Sequence, residues 1–426
     1  MALGDDRRTV TIRNNHKDHR KIIRRRQQVK ASIVVIVIAV LLICGIYFRV
    51  DEKAVSLFKS FSGSEVTADG GSLFDSIYDR FFSGGSSGQD VTEPEVSEPE
   101  DVQEQQAEPE PVPKEVYTSI VVTGDVELSG YVQRNYDASG IDGVVSPELR
   151  KKLKSADILE INNEFSFSTR GTQADKQYTF RVDPSYVSIL YEMGVDVAGL
   201  ANNHVLDYGR DALSDTFDTL TNAGIPYIGA GNSLDEASGL VVQEVNGIKV
   251  GFLAASRVIP EVGWNVENSQ PGVFTCYDTA LLVKAISEAR PKVDFLVVCV
   301  HWGQEHTTNL TDYQPGNGHE YIDAGADVVI GAHPHVLQGI EFYNGKPIFY
   351  SLGNFIFNET IDRTAAVKIT LDSDGNVKKY RLIPAYAGSA TTALAEGDKA
   401  AEIYSYMESI SSNAAVSADG VVSEKQ

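Results

Sequence analysis

Short apolar runs recur along the chain from about residue 116. They read SIVVTG, DILEIN, VDVAGL, KVGFLAAS, DFLVVCV, ADVVIG and PIFYSLG. Runs this short and this continuous suit strands buried on both faces. The stretches between them carry helix signals. DPSYVSILYEMG has Asp183 as N-cap, Pro184 at the first helical position and Gly194 just past the end. GRDALSDTFDTLTNAG closes on Gly224 in the same way. This alternation predicts α/β layers. Further on, AAVKITLDSDGNVKKYRLIPA is two alternating runs around DSDGN, which predicts a β-hairpin. The C-terminal part, residues 397–426, reads as a helix and a loose polar tail ending SSNAAVSADGVVSEKQ.

Upstream the pattern is different. ASIVVIVIAVLLICGIYF is an uncharged apolar run. As a helix at about 1.5 Å per residue it reaches roughly 27 Å, close to the thickness of a bilayer core. Residues 31–49 therefore read as one transmembrane signal anchor. Residues 1–30 hold ten Lys/Arg against three Asp. That asymmetry predicts a cytoplasmic N-terminus and an extracellular C-terminal bulk. A cleaved signal peptide is the competing reading; the long basic region and the lack of an A-x-A-like site after CGIYFRVDEK speak against it.

Residues 50–115 read as a stalk. Its last part, DVTEPEVSEPEDVQEQQAEPEPVPKE, has ten acidic residues and five Pro with no aromatic. It offers too little apolar surface to fold, and its like charges repel. The folded domain is expected over residues 116–396, long enough for one sizeable core.

The net charge of −22 argues against nucleic acid as a partner, since that function wants a basic face. Cys276 and Cys299 lie outside the apolar span, and two thiols make no disulfide framework, though one bridge between them stays open.

The candidate chemistry sits at the carboxyl end of each apolar run. SIVVT leads into Gly124-Asp125-Val126-Glu127, and ILEIN into Asn163-Glu164. VDVAGL leads into ANNHVLDYG, which holds Asn203, His204 and Asp207. FLVVCV leads into His301-Trp302-Gly303, DVVIG into His333-Pro334-His335, and IFYSL into Gly353-Asn354. In an open α/β sheet, ligands bind beyond the carboxyl ends of the strands. Four of the eight His fall at such tips. Each element alone has a plain explanation as a turn, a cap or a satisfied polar residue. Together they predict one shared site at the tips of one sheet. Carboxylate, amide and imidazole ligands suit Mn, Fe or Zn. Six candidate ligands exceed one tetrahedral ion and suit two divalent ions sharing a carboxylate. Trp302, Tyr350 and Phe355 border the tips and are expected to pack rather than to bind. Arg257, in LAASRVIP, is either an anion clamp or half of a surface ion pair.

The blocks GDV, NNEFSF, ANNHVLDYGRDALSDTFDTLTNAGIPYIGAG, VHWGQE and AGADVVIGAHPHVLQGIEFYNGKPIFYSLGNFIF occur in this order. Together they resemble the bacterial capsule-synthesis CapA family, also called the poly-gamma-glutamate capsule biosynthesis family, over roughly residues 117–390. That family resembles the calcineurin-like metallophosphoesterases. The resemblance implies a four-layer α/β/β/α sandwich of the metallo-dependent phosphatase type with a two-metal site. It implies Asp125, Glu164, Asn203, His301, His333 and His335 as metal ligands, Glu164 bridging, and His204 as proton donor to a leaving group. Asp207 either orients His204 or caps the next helix. Arg257 and Asn354 are the expected substrate contacts. One departure stands out: the phosphoesterase DxH motif is here Asp125-Val126-Glu127, so a His ligand is missing. Glu127 either replaces it or points away.

The resemblance is compatible with two functions. One is a membrane-anchored extracellular metallohydrolase acting on a phosphoester, or on an amide of an anionic capsule or wall polymer. The other is a non-catalytic scaffold or polymer-binding subunit beside the membrane subunits of a capsule synthase.

Overall fold

The computed structural model describes residues 115–266 and 270–426. The basic segment, the apolar span and nearly all of the acidic stalk lie outside the described residues. Among the described residues no helix is long and apolar enough to cross a membrane.

Each of the seven apolar runs is a strand, but they divide between two sheets. The larger sheet has ten strands. Its parallel half runs Thr118–Val126, Ile158–Asn163, Val197–Gly199 and Tyr227–Ile228. Its antiparallel half begins where Ile361–Leu371 pairs with Thr118–Val126, and continues through Val377–Gly388. These last two strands are the hairpin expected around DSDGN. The smaller sheet has six strands. Four of them, Lys346–Leu352, Val328–Ala332, Phe295–His301 and Ile248–Ser256, are parallel, and an antiparallel strand closes each edge.

Alternation along the smaller sheet assigns its two faces. Val297, Val328, Ile330 and Phe349 belong to one core shared with Ile120, Val122 and Ile161 of the larger sheet. Leu296, Val298, Val300 and Val329 pack with Leu282 and Ile286 of helix Ala280–Ala289 and with Tyr321 and Ile322 of helix Tyr313–Ala324. Helices Pro147–Leu153, Val187–Met193 and Arg210–Ala223 add Leu149, Leu190 and Leu213 to the shared core. The result is an α/β fold built on two large sheets, with two further two-stranded sheets among the described residues. Trp302, Tyr350 and Phe355 are fully buried, as packing residues should be. The Trp302 indole N–H donates to the Tyr350 carbonyl at 2.9 Å.

Helix signals placed the ends well. The Asp183 carboxylate accepts from the Ser185 amide at 2.9 Å, and Gly194 and Gly224 close their helices at φ 84° and 74°. The tail corrects the expectation of looseness. Ala414–Val416 and Val421–Glu424 form a hairpin, and the second strand joins Val377–Gly388. Its turn is Ser417–Gly420, closed by the Gly420 amide on the Ser417 carbonyl at 2.8 Å, with Gly420 at φ 80°, and Val416 and Val422 are buried. The stretch is polar in composition, yet its few Val occupy the right alternate positions.

Candidate metal centre

The strand tips of both sheets converge on one cluster, so the expectation of a site on one sheet is corrected. Asp125 stands at an irregularity in the first strand, where the register shifts against both neighbours. Such bulges re-aim side chains. The preceding Gly124 is required by closeness: a Cβ there would lie 1.9 Å from the Gly353 carbonyl oxygen. Glu164 follows the second strand, and Asn203 and His204 follow the third. His301 ends Phe295–His301 in the smaller sheet, and His333 and His335 follow Val328–Ala332. Both histidines of the HPH turn are held at positive φ, 97° for His333 and 59° for His335. Non-glycine residues adopt this region at a cost of about 1–3 kcal/mol each, and such strain concentrates at functional sites.

Two triads of possible ligands share Glu164. In one, Glu164, His301 and His333 bring donor atoms within 4.8 Å of one another; in the other, Asp125, Glu164 and His335 do the same. His301 Nε2 lies 3.4 Å from a Glu164 oxygen and 2.7 Å from Asn203 Oδ1. His335 Nδ1 lies 2.7 Å from Asn354 Oδ1 and 3.3 Å from Asp125 Oδ2. Asn162 donates to Asp125 Oδ1 at 2.8 Å and is itself approached by the Asn202 amide at 3.1 Å.

The electrostatics of this cluster are unbalanced. Glu164 is fully buried, and neither of its oxygens has a hydrogen-bond partner; His333 Nδ1 is likewise buried and unpartnered. Burial and the neighbouring Asp125 charge push the Glu164 carboxyl well above its ordinary range. Burial and the His335 charge drive His333 down to about 3, and burial holds His301 well below its usual value. Burial pulls His335 down as well, but the Glu164 and Asp125 charges outweigh it and hold it up at about 10. A buried carboxylate without a partner costs several kcal/mol, and neutral imidazoles beside it offer lone pairs rather than compensating charge. A divalent cation supplies what these orphaned atoms lack, so the residues present fit a metal.

A second constellation adjoins the first. His204 Nδ1 lies 2.7 Å from Asp207 Oδ2, which leaves Nε2 as the free ring nitrogen. Lys176 Nζ contacts Asp207 Oδ1 at 2.8 Å, His204 Nδ1 at 3.2 Å and the Asn203 carbonyl at 2.7 Å. Asp207 also accepts from the Phe180 amide at 2.7 Å, and the Phe180 ring lies 4.4 Å from the imidazole. Helix Arg210–Ala223 begins after Gly209 with no side-chain cap. Of the two roles open to Asp207, the structure therefore places it on His204. Burial lowers the His204 pKa, which favours the neutral ring.

The sequence profile described as "Bacterial capsule synthesis protein PGA_cap" matches residues 119–359, a span that holds every residue of both constellations. The chain belongs to this family. A PGA_cap relative from Bacillus subtilis, "PGA biosynthesis protein CapA", is 34% identical over 282 residues, covering 65% of this chain and 73% of the relative. "Capsule biosynthesis protein CapA" of Bacillus anthracis is 34% identical over 58% of this chain and 61% of its own length. A "Probable polyglutamine synthesis accessory protein" of Mycobacterium tuberculosis is 35% identical, with 47% of this chain and 56% of the relative covered. The chain thus spans less than two thirds of the latter two. Among solved structures, the Haemophilus influenzae NAD nucleotidase (NadN) aligns at 14% identity and a TM-score of 0.39, covering 70% of this chain and 57% of that one.

Other expectations fare differently. Asn354 is 2% exposed and occupied by His335 and Glu359, so it holds a candidate ligand rather than facing a substrate. Among the described residues the Arg257 guanidinium makes no ion pair. It donates to the Cys276 and Tyr277 carbonyls at 3.2 and 2.6 Å and stacks on Tyr313. Glu127 belongs to none of the ligand groups; its Oε1 accepts from the Ser129 amide, its Oε2 is buried without a partner, and burial raises its carboxyl to about 7. Both described thiols are free. Sequence reasoning missed Lys176 and Phe180, which arrive on an irregular loop with no periodic signal. It also missed Glu305, an exposed residue of HWGQE whose carboxylate reaches His333 and His335. Asn162 and Asn202 were legible only as neighbours of Asn163 and Asn203.

Proposed function

We propose that the chain is a membrane-anchored metallohydrolase of capsule polymer synthesis, with its folded domain on the outer face of the cell. The observation that carries this reading is the fully buried Glu164, unpartnered in a ring of His301, His333 and His335 with Asp125 alongside. Asp125, Glu164, Asn203, His301, His333 and His335 would hold one or two divalent ions of Mn, Fe or Zn, with Glu164 common to both positions. Bound there, such ions supply a polarised substrate oxygen and a water acidic enough to attack at neutral pH. The chain's own residues supply the rest. Asp207 and Lys176 fix the His204 ring, and the Asp207 charge would stabilise the imidazolium whose Nε2–H serves as proton donor to a leaving oxygen or nitrogen. Phe180 covers that ring and keeps water from its flank. The reading takes its process from the names of the relatives, and its substrate is an anionic polymer of the poly-gamma-glutamate kind or a phosphoester. Partners would be the membrane subunits of a capsule synthase. Anchoring rests on the apolar run and the flanking charge asymmetry, and the two-metal sandwich of phosphatase type rests on the family resemblance.

A second reading has its own observation. Glu127 stands where the phosphoesterases place a histidine, and it joins none of the ligand groups, one of its oxygens being taken by the Ser129 amide. A site short of one ligand suits a scaffold that binds polymer without cleaving it. Two substitutions separate these readings. In His333→Ala, metal content measured per chain should fall sharply. His204→Ala should stay folded and metal-loaded while capsule yield falls, by about 10²–10⁴-fold in turnover for loss of a general acid. Normal capsule yield in a metal-loaded His204→Ala protein would leave the scaffold standing.

A further inference from the structure

The larger sheet carries a second concave site that none of the residues above enters. It is a groove of about 810 Å³ on the face of the antiparallel half turned away from the smaller sheet. Its walls carry five cations, Lys152, Lys368, Lys378, Lys379 and Arg381, against two carboxylates, Glu396 and Asp419. In a chain of net charge −22 this is a marked local reversal of sign.

The cations form a grid set by strand register. Lys368 lies directly opposite Arg381, and Thr370 opposite Lys379, so these four residues share one face. The core residue Tyr380 between Lys379 and Arg381 points the other way. Successive rows on one face are about 6.7 Å apart along a strand, and cross-strand neighbours about 5 Å. Like charges directly opposite each other destabilise a sheet. Asp419 relieves this only in part, pairing with Arg381 at 2.6 Å, and Asp372 takes up Lys378 at 3.1 Å. Among the described residues, no ion pair engages Lys152, Lys368 or Lys379. Arg381 Nε is buried without a hydrogen-bond partner. Burial lowers the Lys368 ammonium pKa, and Lys152 and Arg381 lower it further against the pull of Asp157. The sheet thus keeps a repulsive cluster that an anion would relieve.

We propose that this groove binds an extended polycarboxylate chain, of the polyglutamate type, at a place separate from the metal centre. Cations spread in successive rows match a ligand with a repeating charge rather than one compact anion. A flat bilayer cannot reach half-buried Lys368 inside a concavity. Only the choice of polymer rests on the functional reading above; the anion site does not.

The test uses the full-length chain and fluorescently labelled poly-gamma-glutamate of defined length, followed by anisotropy. Affinity should fall as salt is raised, since screening weakens exposed charges. The triple variant Lys152→Gln, Lys368→Gln, Lys379→Gln should bind about tenfold or more weakly, as expected when several charge-assisted contacts go. The same three positions changed to Arg should keep binding. Lys284→Gln with Lys292→Gln, cations elsewhere on the surface, should bind as wild type. Unchanged affinity in the triple Gln variant, or equal loss in the Lys284/Lys292 control, would overturn the proposal. So would a triple variant that loses only its binding to phosphatidylglycerol vesicles, which would make the groove a lipid site. His333→Ala separates the two sites, because it disables the metal centre and leaves the groove lining untouched. If it alone loses affinity, the polymer is held at the metal centre, which overturns the groove and leaves the hydrolase reading intact.

Discussion

Glu160→Gln should make this protein more stable, and increasingly so as the pH rises. Glu160 sits on Ile158–Asn163 at 2% exposure, facing Cys299 of the other sheet. Beside them lies a cavity of about 20 Å³, also lined by Asn162 and His301, with room for one water. Burial raises the Glu160 carboxyl from 4.5 to about 8, against a weaker downward pull from Cys299. Between those two values the folded chain holds a proton that the unfolded chain releases. The contribution is therefore harmless below pH 4.5, and stability is lost progressively until pH 8, where the loss is complete. At about 1.4 kcal/mol per unit, the cost is about 3 kcal/mol at pH 7 and about 5 kcal/mol at pH 9. Glutamine keeps the shape and removes the charge. Urea unfolding of both proteins at pH 5, 7 and 9 measures the difference, in which the titrations of other groups largely cancel. The two should be nearly equal at pH 5 and diverge in favour of Gln above it. A difference flat in pH, or a Gln variant less stable at pH 7, would refute the assignment of Glu160 as a neutral buried acid.

Metal affinity should rise at least about tenfold per pH unit between pH 6 and 8, because an incoming ion must displace the proton held on His335 up to about 10, with the raised Glu164 carboxyl adding to the dependence in the same direction; competitive titration with a chelator checks this, and a pH-independent affinity would contradict it. Trp302→Ala should cost about 3–5 kcal/mol of unfolding free energy, since the ring is fully buried between Tyr321 and Tyr350, while metal stoichiometry is retained. Protease added to intact cells should remove the domain after Val116 and spare residues 1–30; a protected domain would reverse the orientation read from the charge asymmetry.

Much of this was legible because both sheets write the same signal. Runs such as DFLVVCV and SIVVTG name strands, and the polar residue after each names a tip. The same property hid the division into two sheets. A strand buried on both faces carries no mark of which neighbour covers it, so tips of two sheets read as tips of one. His204 and Asp207 were legible as a pair because they are three residues apart in one turn. Lys176 was not, since its approach depends on the path of a loop. Asn354 and Arg257 stood at the right tips, and the structure finds each already engaged. Position in sequence says that a side chain is near a site, not whether hydrogen bonds to Glu359 or to backbone carbonyls have already claimed it.

The spread of the cluster along the chain bears on how the molecule is made. Asp125 and His335 are 210 residues apart, and the cluster joins the tips of two sheets that must each form first. Contacts of such long range close late, after the cost in loop entropy has been met by the sheets themselves. An ion that needs both sheets has no site on a half-formed chain, so capture would be the closing step of folding. Release would then have to precede separation of the sheets, slowing unfolding far more than it speeds folding. For a domain proposed to work outside the cell, beyond reach of cytoplasmic chaperones, that asymmetry favours endurance over rapid assembly.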